Sequence, residues 1–149
     1  MKIYLASSWR NEMQPRAVGW LVNAGHEVYD FKNPPGRTGF AWREVSEDWQ
    51  GWTTERYIAG LHHPVSQAGF ASDFAAMEWA DCGVLLLPCN RSAHLEAGWF
   101  AGQGKPLHIF LPGEGHEPEL MYLMASSISR SFDELCGNID LARAPGMVG

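Results

Sequence analysis

An unbroken apolar run, GVLLLP at residues 83–88, is followed by a polar turn and then by residues with helical spacing. A strand that is apolar at every position is typical of a parallel sheet covered on both faces. Ligands of open α/β sheets bind outside the carboxyl ends of the strands, and Asn90, Arg91 and Ser92 follow this end. The run therefore predicts an α/β fold and the position of a site.

The rest of the chain alternates in the same way between two patterns, short apolar runs typical of strands and the helical spacing of apolar residues. Further strands are predicted at residues 3–6, 26–31 and 107–111, helices at 13–24, 66–80, 92–102 and 120–126, and a last strand and helix within 128–136. Strands that alternate with helices and show no internal repeat are typical of βαβ units with right-handed crossovers. We predict one α/β domain over residues 1–149, a doubly wound, flavodoxin- or Rossmann-like parallel sheet with helices on both faces.

Residues 33–64 show neither the strand pattern nor the helix pattern, and they are rich in aromatic side chains. A connection of this length in a compact domain is usually functional or disordered, and its aromatic density argues against disorder. Two interpretations stay open, because aromatic residues dominate both cores and binding sites. The segment is either a lid or pocket wall, or a satellite cluster packed over the sheet.

Composition narrows the class of partner. The formal charge is −6 over 149 residues and there is no Lys/Arg run, which argues against nucleic acid or an anionic membrane. The three cysteines have no metal-ligand spacing and are expected to be reduced thiols. No apolar run is long enough to span a bilayer, and with reduced cysteines we expect a cytoplasmic protein. The expected partner is a small-molecule ligand. No cofactor or metal is expected.

A carboxylate lies beside the apolar stripe of the helix that follows the turn. Ala93, Ala97 and Phe100 share that stripe, and Glu96 is one helical turn from both Ala93 and Phe100. One interpretation is a first-turn acid that the helix dipole stabilises by about 0.3–1 kcal/mol. The other is a working carboxylate, held ionised near neutral pH by the same dipole, as a nucleophile requires.

A second carboxylate has a similar setting on the preceding helix. Asp73 is one turn from Phe70 and Met77, which with Phe74 form the predicted buried stripe of residues 66–80. The alternative is an exposed acid at the edge of that stripe, because three residues are too few to fix a helix's orientation.

Three separated pieces of the chain together resemble one family. These pieces are KIYLASSWRN at residues 2–11, SDFAAMEWADCGVLLLPC at 72–89 and SAHLEAGWFAGQGKP at 92–106. They are similar to the nucleoside 2-deoxyribosyltransferase family, including its relatives that hydrolyse nucleoside 5′-monophosphates. The resemblance implies an enzyme that cleaves an N-glycosidic bond and transfers a deoxyribosyl group to another base. Hydrolysis of monophosphates and a non-catalytic nucleotide-binding module are the alternatives.

The resemblance also implies roles for particular residues. Glu96 looks like the family's nucleophile, which attacks the anomeric carbon, and Asp73 looks like the acid that contacts the base and assists its protonation. Tyr4 looks like the tyrosine that orients the glutamate. Trp9 looks like the aromatic wall of the sugar and base pocket.

Other positions would hold the far end of the substrate. Ser8 and Arg10 resemble the Ser-x-Arg loop that holds the 5′-phosphate in the monophosphate hydrolases. Arg91 and Ser92 join them at a helix N-terminus, which favours anions. Asn90 stands where transferases of the family often have an Asp that contacts the substrate.

The chemistry of glycosidic cleavage requires two such acids. The reaction passes through an oxocarbenium-like state that a carboxylate stabilises or captures, while an acid helps the base to leave. In the retaining geometry the two carboxyl groups lie about 5–5.5 Å apart, although an acid that contacts the base can be more distant.

The resemblance implies a homo-oligomer as well. Transferases of the family complete their site with an Asn and a C-terminal carboxylate from a neighbouring subunit. Residues near Tyr122 and in the tail 145–149 do not clearly match those groups.

Overall fold

The computed structural model describes residues 1–143. Its strands are β1 (Lys2–Ala6), β2 (Glu27–Tyr29), β3 (Cys82–Leu86), β4 (Leu107–Phe110) and β5 (Ser127–Ser129). All neighbouring strands are parallel, in the order β2-β1-β3-β4-β5. This order is that of doubly wound, flavodoxin-like sheets, and it confirms the predicted α/β class.

Helices cover both faces of the sheet. They are α1 (Gln14–Asn23), α2 (Thr54–Leu61), α3 (Pro64–Trp79), α4 (Arg91–Gly102) and α5 (Phe132–Arg143). Helices α1 and α5 bury their apolar residues in one core cluster, and α3 and α4 contribute to the other. Helix α5 continues beyond residue 136, where the last predicted segment ended. The tail 144–149 lies outside the described residues.

Strand β3 is buried at every position, as expected for a strand covered on both faces. Its side chains alternate, so Val84 and Leu86 join the α1/α5 cluster while Leu85 joins the α3/α4 cluster. The chain leaves β1 for β2 on one side and returns to β3 on the other. The β1–β3 boundary is therefore the topological switch point, where such sheets bind ligands.

The aromatic-rich connection contains two short 3₁₀ helices, Trp42–Glu44 and Trp49–Gly51, followed by α2. The ring of Trp42 lies between Phe40 and Trp52, with centroid distances of 4.7 and 5.8 Å. Phe40 also packs on Gly69 of α3. Much of the connection is therefore a satellite cluster seated on α3.

The predicted buried stripe of α3 was wrong in part. Met77 is buried, but Phe70 is 66% exposed and stacks on the half-buried Phe74 at a centroid distance of 5.5 Å. The buried positions near the start of the helix are instead the small residues Ser66 and Gly69. Gly69 gives the Phe40 ring close access, so this contact with the connection determines which face of α3 is covered.

Within residues 1–143, no helix combines the length and the hydropathy that a membrane span requires.

Candidate active site

Two loops meet at the switch point, one after β1 and one after β3. The Ser7 hydroxyl donates to the Leu86 carbonyl at 3.0 Å, and Asn11 Nδ2 donates to the Pro88 carbonyl at 3.2 Å. Asn11 Nδ2 also donates to Ser7 Oγ at 3.2 Å, and Asn11 is buried. These bonds join the two loops, so the residues that follow β1 lie next to those that begin α4.

Glu96 lies in the second turn of α4, one turn further along than expected, with its side chain toward β1. Burial raises the pKa of the Glu96 carboxyl to about 7, and the charge of Asp73 adds to the rise. A hydrogen bond from Tyr4 opposes the rise by stabilising the ionised form. We expected the helix dipole to keep Glu96 ionised. A helix dipole acts mainly within the first turn, and at Glu96 burial has the larger effect on the pKa and raises it.

Asp73 of α3 is half-buried and faces the sheet. The Tyr29 hydroxyl donates to its Oδ1 at 2.8 Å, and Ser72 Oγ lies 3.2 Å from the same hydroxyl. Burial raises the pKa of Asp73, whereas the Tyr29 hydrogen bond and the positive charge of Arg37 lower it. The acid is therefore held by a specific donor, unlike a solvated acid at the edge of a stripe.

Two tyrosines connect the acids. Tyr4 and Tyr29 stack with their ring centroids 5.4 Å apart and their planes 14° from parallel. Burial raises the pKa of Tyr4, and the charges of Glu96 and Asp73 raise it further, so its hydroxyl stays protonated. The structure brings Tyr4, of β1, near both Glu96 and Asp73, so that the charges of the two acids act on its hydroxyl.

Trp9 lies in the loop after β1, two residues from Ser7 and from Asn11. Its ring is 53% exposed, although it packs edge-on against Phe31 at 5.5 Å and carries Lys32 Nζ 5.6 Å from its centroid. A Cβ at Gly39 would lie 2.6 Å from the ring, so the absence of a side chain at Gly39 lets the Trp9 ring take this position. The first part of the aromatic-rich connection therefore contacts Trp9, and its part as a pocket wall stays a prediction.

The other predicted contacts are more open. Ser8 Oγ accepts a hydrogen bond from the Arg10 backbone N–H at 3.2 Å, and the Arg10 side chain is exposed. Asn90, the N-cap residue of α4, is exposed, as are Arg91 and Ser92. All of these residues except Ser8 are exposed at the joined loops, whereas Glu96 and Asp73 are partly buried.

A neighbouring cavity of about 400 Å³ was missed from the sequence. His94 Nε2 lies 2.8 Å from the Tyr122 hydroxyl, and His94 Nδ1 donates to the Asn90 carbonyl at 2.9 Å. Cys89 Sγ is 3.7 Å from His94 Nδ1. Burial and the nearby Glu96 charge raise the pKa of Cys89 to about 12, so this thiol is not a nucleophile at neutral pH.

Other polar residues of the site were also missed, namely Ser7, Asn11, Tyr29 and Ser72. One signal was available for Tyr29, because it occupies the carboxyl end of its strand. Its partner Tyr4 is near the same end of β1, and the two residues are in register.

Comparisons with known proteins identify the fold. No protein-family model matches the chain, and a search of curated proteins finds no match. A 2-deoxyribosyltransferase from Bacillus psychrosaccharolyticus is similar in structure, with 22% identity and a TM-score of 0.65, over 89% of this chain and 88% of that chain.

Two further solved structures are similar. The CMP N-glycosidase BcmB from Clostridium botulinum has 16% identity and a TM-score of 0.51, over 95% of this chain and 100% of that chain. A conserved protein from Enterococcus faecalis V583 has 15% identity and a TM-score of 0.59, over 95% and 98% of the two chains. At these identities the likeness establishes a shared fold.

Proposed function

We propose that this chain cleaves the N-glycosidic bond of a nucleoside or nucleotide, with Glu96 as nucleophile and Asp73 as the acid that faces the base. The observation that carries the proposal is the pair of carboxylates held by two stacked tyrosines at the switch point. The sequence pieces that resemble the nucleoside 2-deoxyribosyltransferase family support it. So does the shared fold, since two of the similar structures are a 2-deoxyribosyltransferase and a CMP N-glycosidase.

In the first step the Glu96 carboxylate attacks the anomeric carbon while the carbon–nitrogen bond breaks. The bonding electrons leave with the base, which takes a proton from Asp73, and a glycosyl ester of Glu96 remains. In the second step the nitrogen of another base bonds to the anomeric carbon, its proton passes to the ionised Asp73, and the bond between Glu96 and the sugar breaks to restore the carboxylate. If water does so instead, the outcome is hydrolysis.

The coupling of the two acids suits this division of labour. Glu96 must be ionised to attack, and Tyr4 stabilises that form by hydrogen bonding. The two negative charges repel each other, so a proton on Asp73 favours ionisation of Glu96. When the pair holds one proton and that proton is on Asp73, the site has one nucleophile and one proton donor.

Transfer to another base is the first form of the proposal. The exposed ring of Trp9 in the loop after β1 supports it, because an aromatic face there can stack on a base that enters or leaves.

Hydrolysis of a 5′-monophosphate is the alternative, and a separate observation favours it. The Asn11 bond to Pro88 joins the loop that contains the exposed Arg10 to the loop that precedes the 12-residue helix α4, whose first residue is Arg91. Two cations and free backbone N–H groups at a helix N-terminus suit a phosphate.

One set of incubations tests these forms. The purified chain is mixed with deoxynucleosides or their 5′-monophosphates, with and without an acceptor base, and free and exchanged bases are separated by chromatography. We expect base release, and Glu96→Gln should reduce it by roughly 1,000-fold or more. Glu78→Gln, at an exposed position of α3, is the matched control and should keep full activity.

Each outcome has a defined meaning. Exchange only with an acceptor base supports transfer, and release from monophosphates alone supports hydrolysis. Tight nucleotide binding that Glu96→Gln leaves unchanged, with no base release by the folded wild type, identifies a non-catalytic binding module and contradicts the enzyme proposal.

We further propose that the chain forms a homo-oligomer. Leu120, Leu123 and Ile128 are 76%, 80% and 43% exposed and border one apolar groove, a pattern typical of protein interfaces. Light scattering after size exclusion should give more than one subunit, and Leu123→Ser should weaken the assembly. Leu141→Ser, at an exposed site on α5, should not, and a monomeric wild type contradicts the proposal.

A further inference from the structure

Tyr29 contacts both Tyr4 and Asp73 of the proposed catalytic group. It ends the edge strand β2, and its side chain is only 7% exposed. Sheet register pairs it with Tyr4, so the two rings point to the same face and stack. Its hydroxyl reaches across to α3, where it meets Ser72 and Asp73.

The direction of these hydrogen bonds follows from the available protons. A tyrosine hydroxyl has one proton, and Asp73 Oδ1 can accept it both when the carboxyl is ionised and when its own proton is on Oδ2, so Tyr29 donates to Asp73 Oδ1. Ser72 is then the donor to the Tyr29 oxygen. The result is a chain, Ser72 to Tyr29 to Asp73, that engages one oxygen of the carboxylate and limits its rotation.

The proton that Asp73 gives to the base must come from the other oxygen. With Oδ1 committed to Tyr29, Oδ2 is the oxygen that can face the crevice. A freely rotating carboxyl would present either oxygen and would lose alignment with the reacting nitrogen, and such alignment carries much of the rate of enzymatic proton transfer.

We propose that Tyr29 is a positioning residue that selects the Asp73 oxygen facing the departing base and, through its stack on Tyr4, keeps both acids in one arrangement. This inference rests on the proposed function. Tyr29 touches no reacting atom itself. Its effect passes through Asp73 on one side and through Tyr4, which orients Glu96, on the other.

The test is Tyr29→Phe, which keeps the ring and removes the hydroxyl. Tyr57→Phe is the matched control, because Tyr57 is 48% exposed on α2. The carboxyl of Asp73 is titrated by carbon-13 NMR, and kcat and KM for base release are measured across pH. Glu96, Tyr4 and Arg37 are the ionisable groups that act on this region from α4, β1 and the connection, and they are unchanged in both variants.

We expect Tyr29→Phe to raise the pKa of Asp73, because a donor to the carboxylate is lost. We also expect kcat to fall about tenfold, as for loss of one hydrogen bond to a charged group, with little change in KM. The limb of the kcat profile that depends on Asp73 should move to higher pH. Tyr57→Phe should match the wild type in all respects.

Unchanged Asp73 titration in folded Tyr29→Phe, or a loss expressed only in KM, overturns the inference. If Tyr29→Phe does not fold, Ser72→Ala takes its place and should shift the Asp73 titration in the same direction by less; no shift counts against the inference. The NMR titration is independent of turnover. Failure of the proposed function shows instead as no base release by a wild type whose Asp73 titration still depends on Tyr29.

Discussion

The two faces of the sheet are built differently. The α1/α5 face is an aliphatic core of fully buried side chains, among them Ile3, Leu5, Leu21, Leu86, Leu135 and Ile139. On the α3/α4 face, alanines and aromatic rings surround two partly buried carboxylates. Both faces contain buried apolar groups that favour folding, and the α3/α4 face also contains two carboxylates whose ionised forms oppose it.

This contrast explains why the candidate site lies on only one face. Burial of an ionisable group is unfavourable unless it is paired, and here Tyr4 and Tyr29 compensate for only part of that penalty. The aliphatic face can offset the remainder because its packing is independent of the crevice. Perturbed acids in a crevice over a well-packed core are a common feature of functional sites.

The largest expected effect on stability is on the aliphatic face. Ile139→Ala removes a side chain that is 0% exposed, and we expect a loss of about 2–5 kcal/mol in the free energy of unfolding. Urea denaturation measures it. The matched control is Leu141→Ala on the same helix, 56% exposed, which should change stability by less than about 0.5 kcal/mol. Similar losses in the two variants would mean that α5 does not pack as described.

The second effect has the opposite sign and lies on the site face. The folded-state pKa of Glu96, about 7, is above its ordinary value of 4.5. Below pH 4.5 the carboxyl is neutral in both the folded and the unfolded chain, so its burial does not lower the free energy of unfolding through ionisation. Stability is lost as pH rises through 7 and the buried carboxyl ionises. Glu96→Gln should therefore leave stability unchanged at pH 4 and increase it at pH 8, by at most about 3 kcal/mol.

The measurement is the free energy of unfolding at both pH values. Glu78→Gln, at the exposed position used above, should have no effect at either pH. Equal stability of Glu96→Gln and wild type at pH 8 would show that the carboxyl is better solvated than its position indicates.

How far the fold could be predicted depended on local pattern. The apolar run at 83–88 and the alternation of the two patterns were enough for the class and the strand positions. The orientation of α3 was not predictable in this way, because Phe70 and Phe74 look like a buried stripe. On its covered face, Gly69 packs against Phe40. Phe40 belongs to the aromatic-rich connection, whose sequence shows neither the strand nor the helix pattern.

The residues of the candidate site likewise differ in whether a local sequence pattern could predict them. Glu96 and Asp73 stood out because each is a carboxylate next to apolar residues on its own helix. Tyr29 did not, because its part depends on β2 pairing with β1 in the register that sets it beside Tyr4. The place of Tyr29 at the end of its strand was a signal in the sequence, but it did not identify the residues that Tyr29 contacts.

The smallest expected effect concerns a buried ionisable side chain, that of His108, on the aliphatic face. His108 of β4 is 1% exposed and points to the α1/α5 side, with Nδ1 2.7 Å from Ser127 Oγ. Burial lowers its pKa below the ordinary 6.5, so the unfolded chain takes up a proton first as pH falls. Stability from this group is present above pH 6.5 and is lost below it, by at most about 1.4 kcal/mol per pH unit. His108→Gln should flatten the loss of unfolding free energy between pH 7 and pH 5.5, whereas an exposed control, His62→Gln, should keep the wild-type slope. If the His108→Gln slope equals that of the wild type, this histidine is protonated in the folded state, and the aliphatic face also contains a buried charge.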